Sequence, residues 1–257
     1  MSFVKMPERT QSNSGQVGKK KLYFRWIPGV HKVRFLDEEG VGFAYVHWVN
    51  GAYVKCLGDN CPICQENFRI IKEAKEAGTD YRKNKNFRPR TERYYANVLD
   101  LTPVKVCPNC GAEIHKREDG TWPDACSECG KLVATVEPKE SRKVKILSKG
   151  RTLFSQFNSF EEIYGEPPTK YNVALIVKNS REVSASAIPN ENEPVEYNKE
   201  DLYNLPDEAV LELTAEELVQ LSNGVRVRDI LVARNSGKKH TKIDDDTQKA
   251  LESLFND

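Results

Sequence analysis

Seven cysteines constrain this chain more than any other feature, because they fall into two groups with the spacing of metal ligands. The second group consists of two C-x2-C pairs separated by fifteen residues, and its members are Cys107, Cys110, Cys126 and Cys129. Each pair can supply two thiolates from one tight turn, and two such turns complete a tetrahedral zinc site. The spacing is typical of a zinc ribbon, which we expect over about residues 104–134.

The first group has only three cysteines, Cys56, Cys61 and Cys64, so a fourth ligand must come from another residue type. His47 lies nine residues before Cys56 in the run H-W-V-N-G and is the nearest histidine. Imidazole nitrogen binds zinc together with thiolates in mixed structural sites. We therefore predict a site formed by these three cysteines and His47 over about residues 47–64, with His31 as the rival fourth ligand.

A disulfide framework is the main alternative for a cysteine-rich chain. The count is odd, however, and the N-terminal residues MSFVKMPERTQ lack the apolar core of a signal peptide. We expect a cytoplasmic protein that is not secreted. Because protein side chains would fill all four positions of each site, we expect two structural Zn2+ ions that stabilise the fold without taking part in chemistry.

The charge of the chain is unevenly distributed. Residues 1–188 contain 31 Lys and Arg against 22 Asp and Glu, whereas residues 189–257 contain 8 against 16. A basic body with an acidic C-terminal region is typical of proteins whose body binds a polyanion and whose tail competes with it or recruits partners. The chain has no run of apolar residues long enough for a membrane span.

The order of patterns along the chain predicts a mainly β protein with some helix. We expect a flexible arm over residues 1–20, a core over 21–188 and an acidic, partly helical region over 189–257. Alternating β-branched and aromatic residues before Cys56 indicate strands, and the ribbon is inserted next to the strand R-Y-Y-A-N-V-L-D-L, as if on a β-barrel loop. A helix after Cys64 is expected to direct Phe68, Ile71 and Ala74 to one face.

One basic segment interleaves cations with aromatic rings, a composition that suits single-stranded nucleic acid. Cations follow the phosphates, and exposed bases stack on rings at roughly 1–3 kcal/mol each without regard to sequence. A similar patch occupies residues 19–26, and Trp48 lies beside His47. The residues expected to contact nucleic acid are Lys20, Lys21, Arg25, Trp48, Tyr81, Arg82, Lys83, Lys85, Phe87, Arg88, Arg90, Arg93 and Tyr94.

The chain resembles the phage single-stranded-DNA-binding proteins of the T-even helix-destabilising type. The resemblance covers about residues 20–188 and is carried by R-F-L at Arg34–Leu36, by H-W-V-N-G-A-Y-V-K-C-L-G-D-N-C-P-I-C, by R-Y-Y-A-N-V-L-D-L and by the acidic C-terminal region. It implies an OB-fold β-barrel with a structural zinc beside the binding cleft. It also implies coating of single strands in phage replication, recombination and repair, with self-association along the strand and an acidic tail that contacts replication and recombination proteins.

We therefore predict an OB-fold-like β-barrel with an inserted zinc ribbon, and a binding protein for single-stranded DNA that is not an enzyme. The four-cysteine ribbon is not part of the T-even pattern. Zinc ribbons are also common in RNA-binding and transcription accessory proteins, which form the first alternative. A zinc-containing nuclease or primase-type enzyme is the second alternative, and it would require a metal with an open position or a preorganised carboxylate cluster.

Overall fold

A computed structural model describes residues 23–38, 41–117 and 119–235. The expected N-terminal arm, Lys20, Lys21 and the end of the acidic tail lie outside the described residues. The strands are β1 (Gly29–Phe35), β2 (Gly42–Val49), β3 (Ala52–Lys55), β4 (Arg90–Asp100), β5 (Pro103–Val106), β6 (Glu113–Ile114), β7 (Lys139–Glu140), β8 (Lys143–Lys149), β9 (Asn172–Val177) and β10 (Val183–Ile188). The helices are α1 (Pro62–Glu76), α2 (Arg151–Tyr164), α3 (Leu205–Glu208), α4 (Ala215–Ser222) and α5 (Val227–Asn235).

The structure is mainly antiparallel β-sheet with some helices, as the sequence predicts, and it divides into two compact units. Unit 1 contains the described residues of 1–43 and 93–209, and unit 2 contains those of 44–92 and 210–257. Strands β2 and β4 each continue from one unit into the other. The expected acidic region that begins at residue 189 is divided in the same way, since residues 189–209 belong to unit 1 and residues 210–235 to unit 2.

The sheet of unit 1 is open. Its strands pair in the order β10, β9, β1, β4, and β8 pairs with β4 as well. On β4, Leu99 pairs with Arg34 of β1 and with Val144 of β8, so β4 lies between those two strands. At the β10 edge, the Ala185 amide donates to Oε1 of Gln156 on α2 at 2.8 Å. The expected closed β-barrel is therefore wrong for the described residues, because a helix side chain covers the edge that a barrel would pair with another strand.

The apolar core of unit 1 forms where α2 packs on this sheet. Leu153, Phe154 and Phe157 of the helix are buried, and they pack with strand residues such as Val33 and Leu175. The helix ends at Gly165, whose φ of 74° is the left-handed conformation that favours glycine as a C-cap. The helical spacing of Leu153 and Phe157 and the glycine that follows the last turn are the sequence signals for this helix and its end.

Unit 2 is built on the hairpin formed by β2 and β3 and on the helices α1, α4 and α5. Val49, Ile63, Leu218 and Ile230 are among the buried residues of its core. The Thr214 hydroxyl accepts from the Glu217 amide, and the Glu217 carboxylate accepts from the Thr214 amide, which completes the capping box of α4. Residues 210–235 are therefore an integral part of a packed unit.

The phase of α1 differs from the expected one. Ile63, Asn67, Ile70 and Ala74 are buried, whereas Phe68 is 71% exposed and Ile71 lies at 36%. The sequence pattern of α1 is compatible with burial of either of two adjacent helix faces. Packing against α4 buries the face that carries Ile63 and Ile70. No helix in the described ranges is long and apolar enough to span a bilayer.

Candidate metal centres and nucleic-acid surface

The ribbon consists of two turns with the same local geometry. In the first, the Gly111 amide donates to the Cys107 carbonyl at 2.9 Å, and in the second, the Gly130 amide donates to the Cys126 carbonyl at 2.8 Å. Both glycines have a φ of 71°, which a residue with a Cβ adopts only with strain. Each C-x2-C-G sequence therefore forms a turn that directs two thiols to one point.

The four ribbon cysteines form a cluster that fits a zinc ion. Their sulfur atoms all lie within 4.8 Å of one another, and the pairs Cys107–Cys129 and Cys110–Cys126 are each 3.6 Å apart. A tetrahedron with Zn–S bonds of about 2.3 Å has S···S edges of about 3.8 Å. The predicted ribbon ligands are confirmed as a set that could hold one zinc ion.

The second cluster lies in unit 2 and has the predicted members His47, Cys56, Cys61 and Cys64. The Cys56 and Cys64 sulfurs are 3.6 Å apart, and Nε2 of His47 lies 3.5 Å from the Cys61 sulfur and 3.4 Å from the Cys64 sulfur. With Zn–N of about 2.1 Å and Zn–S of about 2.3 Å, tetrahedral N···S edges are about 3.6 Å. These four residues could hold a second zinc ion, so two structural zincs are consistent with the structure.

The fourth member of this cluster is His47, and His31 lies outside it. Nε2 of His31 donates to the Ile27 carbonyl at 2.6 Å, and its ring packs edge-on against Phe24 in unit 1. Nδ1 of His47 lies 2.8 Å from the Arg88 carbonyl. Because a carbonyl only accepts, this nitrogen carries the proton, and the lone pair of Nε2 is directed to the cluster.

The same carbonyl connects the metal cluster to the basic segment. The Asn67 side chain donates to the Arg88 carbonyl at 2.6 Å and accepts from the Arg88 amide at 2.9 Å. Arg88 is therefore held through both of its backbone polar groups by residues of β2 and α1. His47 is wholly buried, and Asn67 is only 8% exposed. The metal cluster and the conformation of the basic segment thus share one hydrogen-bond network.

The basic segment itself is an ordered loop. Asp80 caps a short 3-10 turn at Tyr81–Lys83 by accepting from the Arg82 amide at 3.0 Å. The rings of Tyr81 and Phe87 pack edge to face with their centroids 5.0 Å apart. Both rings are half-buried, so each has only part of its surface available for a base.

Four cations of the loop, Arg82, Lys83, Lys85 and Arg90, are exposed. No carboxylate of the described residues forms a salt bridge with any of them. Arg88 differs because its guanidinium donates to the Lys85 carbonyl and, at 3.4 Å, to the Phe87 carbonyl. Arg88 thus stabilises the loop, while the other four cations face solvent.

An exposed aromatic surface of unit 2 lies on the β2–β3 hairpin. Trp48 is 51% exposed, and its ring centroid lies 4.6 Å from that of its cross-strand partner Tyr53. The guanidinium of Arg90 lies 4.4 Å from the centroid of Tyr45, a second exposed ring. The sequence analysis identified Trp48 and Arg90 but missed both tyrosines. Strand alternation from Trp48 across a two-residue turn could have identified Tyr53.

Three of the predicted nucleic-acid contacts that the structure describes lie in unit 1. Tyr94 is 5% exposed, and its ring stacks on Phe154 in the core, so its prediction as a base-stacking residue is wrong. The alternation of β4 turns Tyr94 toward α2, where burial of an aromatic ring stabilises the core. Arg93 is half-buried and belongs to unit 1, as does the exposed Arg25. The predicted segment from Tyr81 to Tyr94 is therefore divided between the units.

The ribbon is attached to the sheet of unit 1 by buried ion pairs. Nζ of Lys145 lies 2.7 Å from the Asp100 carboxylate and 3.4 Å from that of Glu113. Burial alone would raise the pKa of Glu113, but the hydrogen bond from Ser141 and the nearby lysines lower the pKa below its ordinary value. All of these groups have partners, so we assign them to the structure of the ribbon base.

No protein-family model matches this chain, and no curated protein is significantly similar to it. The function is therefore argued from the geometry of the chain itself.

Proposed function

We propose that this protein binds single-stranded DNA with little sequence preference and has no catalytic activity. The observation that carries the proposal is the surface of unit 2, where the exposed Trp48–Tyr53 pair and the ring of Tyr45 lie on the β2–β3 hairpin and the exposed Arg90 lies 4.4 Å from the Tyr45 ring. Rings of this kind stack on bases of any sequence, and cations such as Arg90 neutralise phosphates.

The chemistry of the surface favours single strands over duplex. Bases in a duplex have no free faces, so an exposed aromatic pair adds nothing to duplex affinity. Sequence reading in a duplex requires side chains that reach the major groove, usually from a helix. The proposed surface consists of a two-stranded hairpin and the basic loop of the same unit, and it exposes aromatic rings together with cations.

The metal clusters support a binding role. Each offers four protein ligands at tetrahedral spacing, an arrangement that keeps no position for water or substrate. The zinc on the His47 cluster would fix the imidazole, and the imidazole would hold the Arg88 carbonyl of the loop. We therefore propose that this zinc keeps the loop in its binding conformation.

In the wider role that we propose, the protein coats and protects single strands during phage DNA replication, recombination and repair. It would act in the host cytoplasm, associate with copies of itself along the strand and contact other replication proteins through its acidic C-terminal tail. The basic surface and the acidic composition of the C-terminal region support this role.

The test is fluorescence anisotropy with labelled oligo-dT, oligo-U and duplex DNA, applied to the wild-type chain and to Trp48→Ala. We expect preference for oligo-dT, and we expect Trp48→Ala to weaken binding by about 5- to 150-fold, since one lost stacking contact costs roughly 1–3 kcal/mol. Phe68→Ala is the matched control, because Phe68 is an exposed ring of the same unit on α1.

Each contrary result has a distinct meaning. Preference for oligo-U would replace DNA by RNA as the ligand, in favour of the RNA-binding alternative. Equal affinity for duplex and oligo-dT would overturn the single-strand proposal. Equal losses in Trp48→Ala and Phe68→Ala would remove the hairpin from the binding surface.

A further inference from the structure

The ribbon cluster combines exposed with buried cysteines. Cys110 and Cys129 are exposed, whereas Cys107 and Cys126 are buried. The two close sulfur pairs are Cys107–Cys129 and Cys110–Cys126, and the sulfurs of each pair are 3.6 Å apart. Each pair therefore joins a cysteine that a small solute can reach to a second cysteine that is shielded from the solute.

The cluster of unit 2 differs in both respects. None of its three cysteines is exposed, since Cys61 is buried in the apolar core and Cys56 and Cys64 are half-buried against that core. Its fourth member, His47, is wholly buried, and an imidazole does not form a disulfide. A disulfide takes two thiols, so three thiols cannot all pair. This cluster is therefore shielded from small oxidants, and its thiols cannot be oxidised to disulfides completely.

Exposure matters because a cysteine that binds zinc is a thiolate, the nucleophilic form of the side chain. A peroxide oxidises an accessible thiolate to a sulfenic acid, and a neighbouring thiol converts the sulfenic acid to a disulfide. Cysteines that sense oxidants are accordingly accessible and lie next to a second, resolving cysteine. Both sulfur pairs of the ribbon have this arrangement.

We propose that the ribbon is a peroxide-sensitive zinc site. Hydrogen peroxide oxidises the exposed Cys110 and Cys129, and the buried Cys126 and Cys107 then form a disulfide with Cys110 and Cys129 respectively. The sulfurs of a disulfide are no longer thiolates, so the ribbon releases its zinc while the zinc of unit 2 stays bound. This chemistry does not involve the nucleic-acid surface and is independent of the proposed function.

Each disulfide forms in two steps. The exposed thiolate attacks one oxygen of the peroxide, the O–O bond breaks, and the hydroxide that leaves takes up a proton from solvent to become water. The buried thiolate then attacks the sulfur of the sulfenic acid, the S–O bond breaks, and the second hydroxide also becomes water. Two thiolates thus lose two electrons in total to one peroxide, and the release of one zinc ion consumes two peroxides.

The experiment treats the full-length, zinc-loaded chain with hydrogen peroxide and follows released zinc with a chromogenic chelator. Native mass spectrometry counts the zinc that stays bound, and alkylation of free thiols before peptide mapping identifies the oxidised cysteines. We expect the loss of one zinc per chain, disulfides Cys107–Cys129 and Cys110–Cys126, and alkylation of the three cysteines in unit 2. Dithiothreitol followed by zinc should restore the second bound ion, because a disulfide is reversible.

A ligand exchange tests the role of the exposed thiols. Cys110→His combined with Cys129→His removes them and keeps four zinc ligands, since two cysteines and two histidines also form structural zinc sites. We expect this double variant to retain both zinc ions in peroxide. Cys64→His is the control, because it makes the same exchange in the other cluster, and it should release the ribbon zinc as the wild-type chain does. Native mass spectrometry before peroxide verifies the zinc content of each variant.

Four results would overturn the proposal. The first is a wild-type chain that releases no zinc, and the second is release of both ions at one rate with oxidised cysteines in both clusters. The third is sulfinic acid in place of the two disulfides, which would remove the resolving step. The fourth is a zinc-loaded double variant that loses its ribbon zinc as fast as the wild-type chain. The peptide map of the wild-type chain decides the first three without any variant.

Discussion

The two units differ in how their cores relate to metal. The main core of unit 1 is a sheet with α2 packed on it, and none of its buried residues is a metal ligand. The core of unit 2 includes the ligand Cys61, and the ligands Cys56 and Cys64 pack against it. The comparison indicates that apolar burial holds the sheet of unit 1, whereas unit 2 combines a smaller core with a metal cluster.

The ribbon sharpens this contrast inside unit 1. Its buried apolar group consists of Cys107, Ile114, Cys126 and Val133, so half of that group are metal ligands. Such a small group cannot offset the conformational entropy of ordering the ribbon without the metal. The ribbon should therefore depend on zinc while the sheet that carries it does not.

The largest effect is expected from removing one ligand in each cluster. Zinc contributes about 10–16 kcal/mol in zinc-finger peptides, which is comparable to the total stability of a domain. We expect Cys61→Ser to bind one zinc and to lose hydrogen-exchange protection throughout α1, α4 and α5. We expect Cys126→Ser to bind one zinc and to lose protection in the ribbon alone. Native mass spectrometry and hydrogen exchange provide the two measurements.

The contrast between the units would be broken by either of two results. Retained protection of α1 in Cys61→Ser would show that the core of unit 2 is stable without its metal. Lost protection of β1 and β9 in Cys126→Ser would show that the ribbon is required by the sheet.

A smaller effect is expected from Asp37, a half-buried carboxyl group of unit 1. Burial raises its pKa to about 6, although hydrogen bonds from the side chain and amide of Asn97 lower the pKa in part. The Asn97 side chain also donates to the Tyr203 carbonyl at 3.0 Å and accepts from the Tyr203 amide at 2.9 Å, so these groups join β4 to the segment before α3.

A raised carboxyl pKa stabilises the fold below the unfolded pKa of about 3.9, and this stabilisation is lost as the pH rises through about 6. Asparagine does not titrate. We therefore expect the free energy of unfolding of Asp37→Asn to rise relative to wild type by about 1.4 kcal/mol between about pH 5 and about pH 7.5. Denaturant unfolding at the two pH values is the measurement. A difference that stays constant with pH would contradict the burial of the ionised group.

A separate effect, on DNA affinity rather than on stability, is expected from the loop cations of unit 2. Lys83→Gln combined with Lys85→Gln should make the slope of log K for oligo-dT against log salt shallower by about 1.4, since each phosphate contact on a single strand contributes about 0.7. Glutamine at both Lys72 and Lys75 is the control, because it removes the same charge from α1 of the same unit. Equal slopes in the two double variants would place the phosphates away from the loop.

The sequence by itself determined the two ligand groups, the ribbon, the mainly β character of the chain, α2 and the capping box of α4. These features depend on residues that are close in sequence. The C-x2-C-G turns, the helical period of Leu153 and Phe157 and the reciprocal bonds of Thr214 and Glu217 are each set by local backbone geometry.

Only the tertiary structure decided which of two histidines completes the first cluster, where the sheet ends, which face of α1 is buried and whether Tyr94 is exposed. Each of these outcomes depends on which distant segment packs against the residue. His47 reaches the cysteines because β2 pairs with β3, whereas His31 hydrogen-bonds in unit 1. Tyr94 is buried because α2, which begins more than fifty residues later, covers that side of β4. The pattern of apolar residues shows whether a segment is a helix or a strand. Which face of that segment is buried depends on the distant segment that packs against it and excludes water, and a local pattern does not specify that segment.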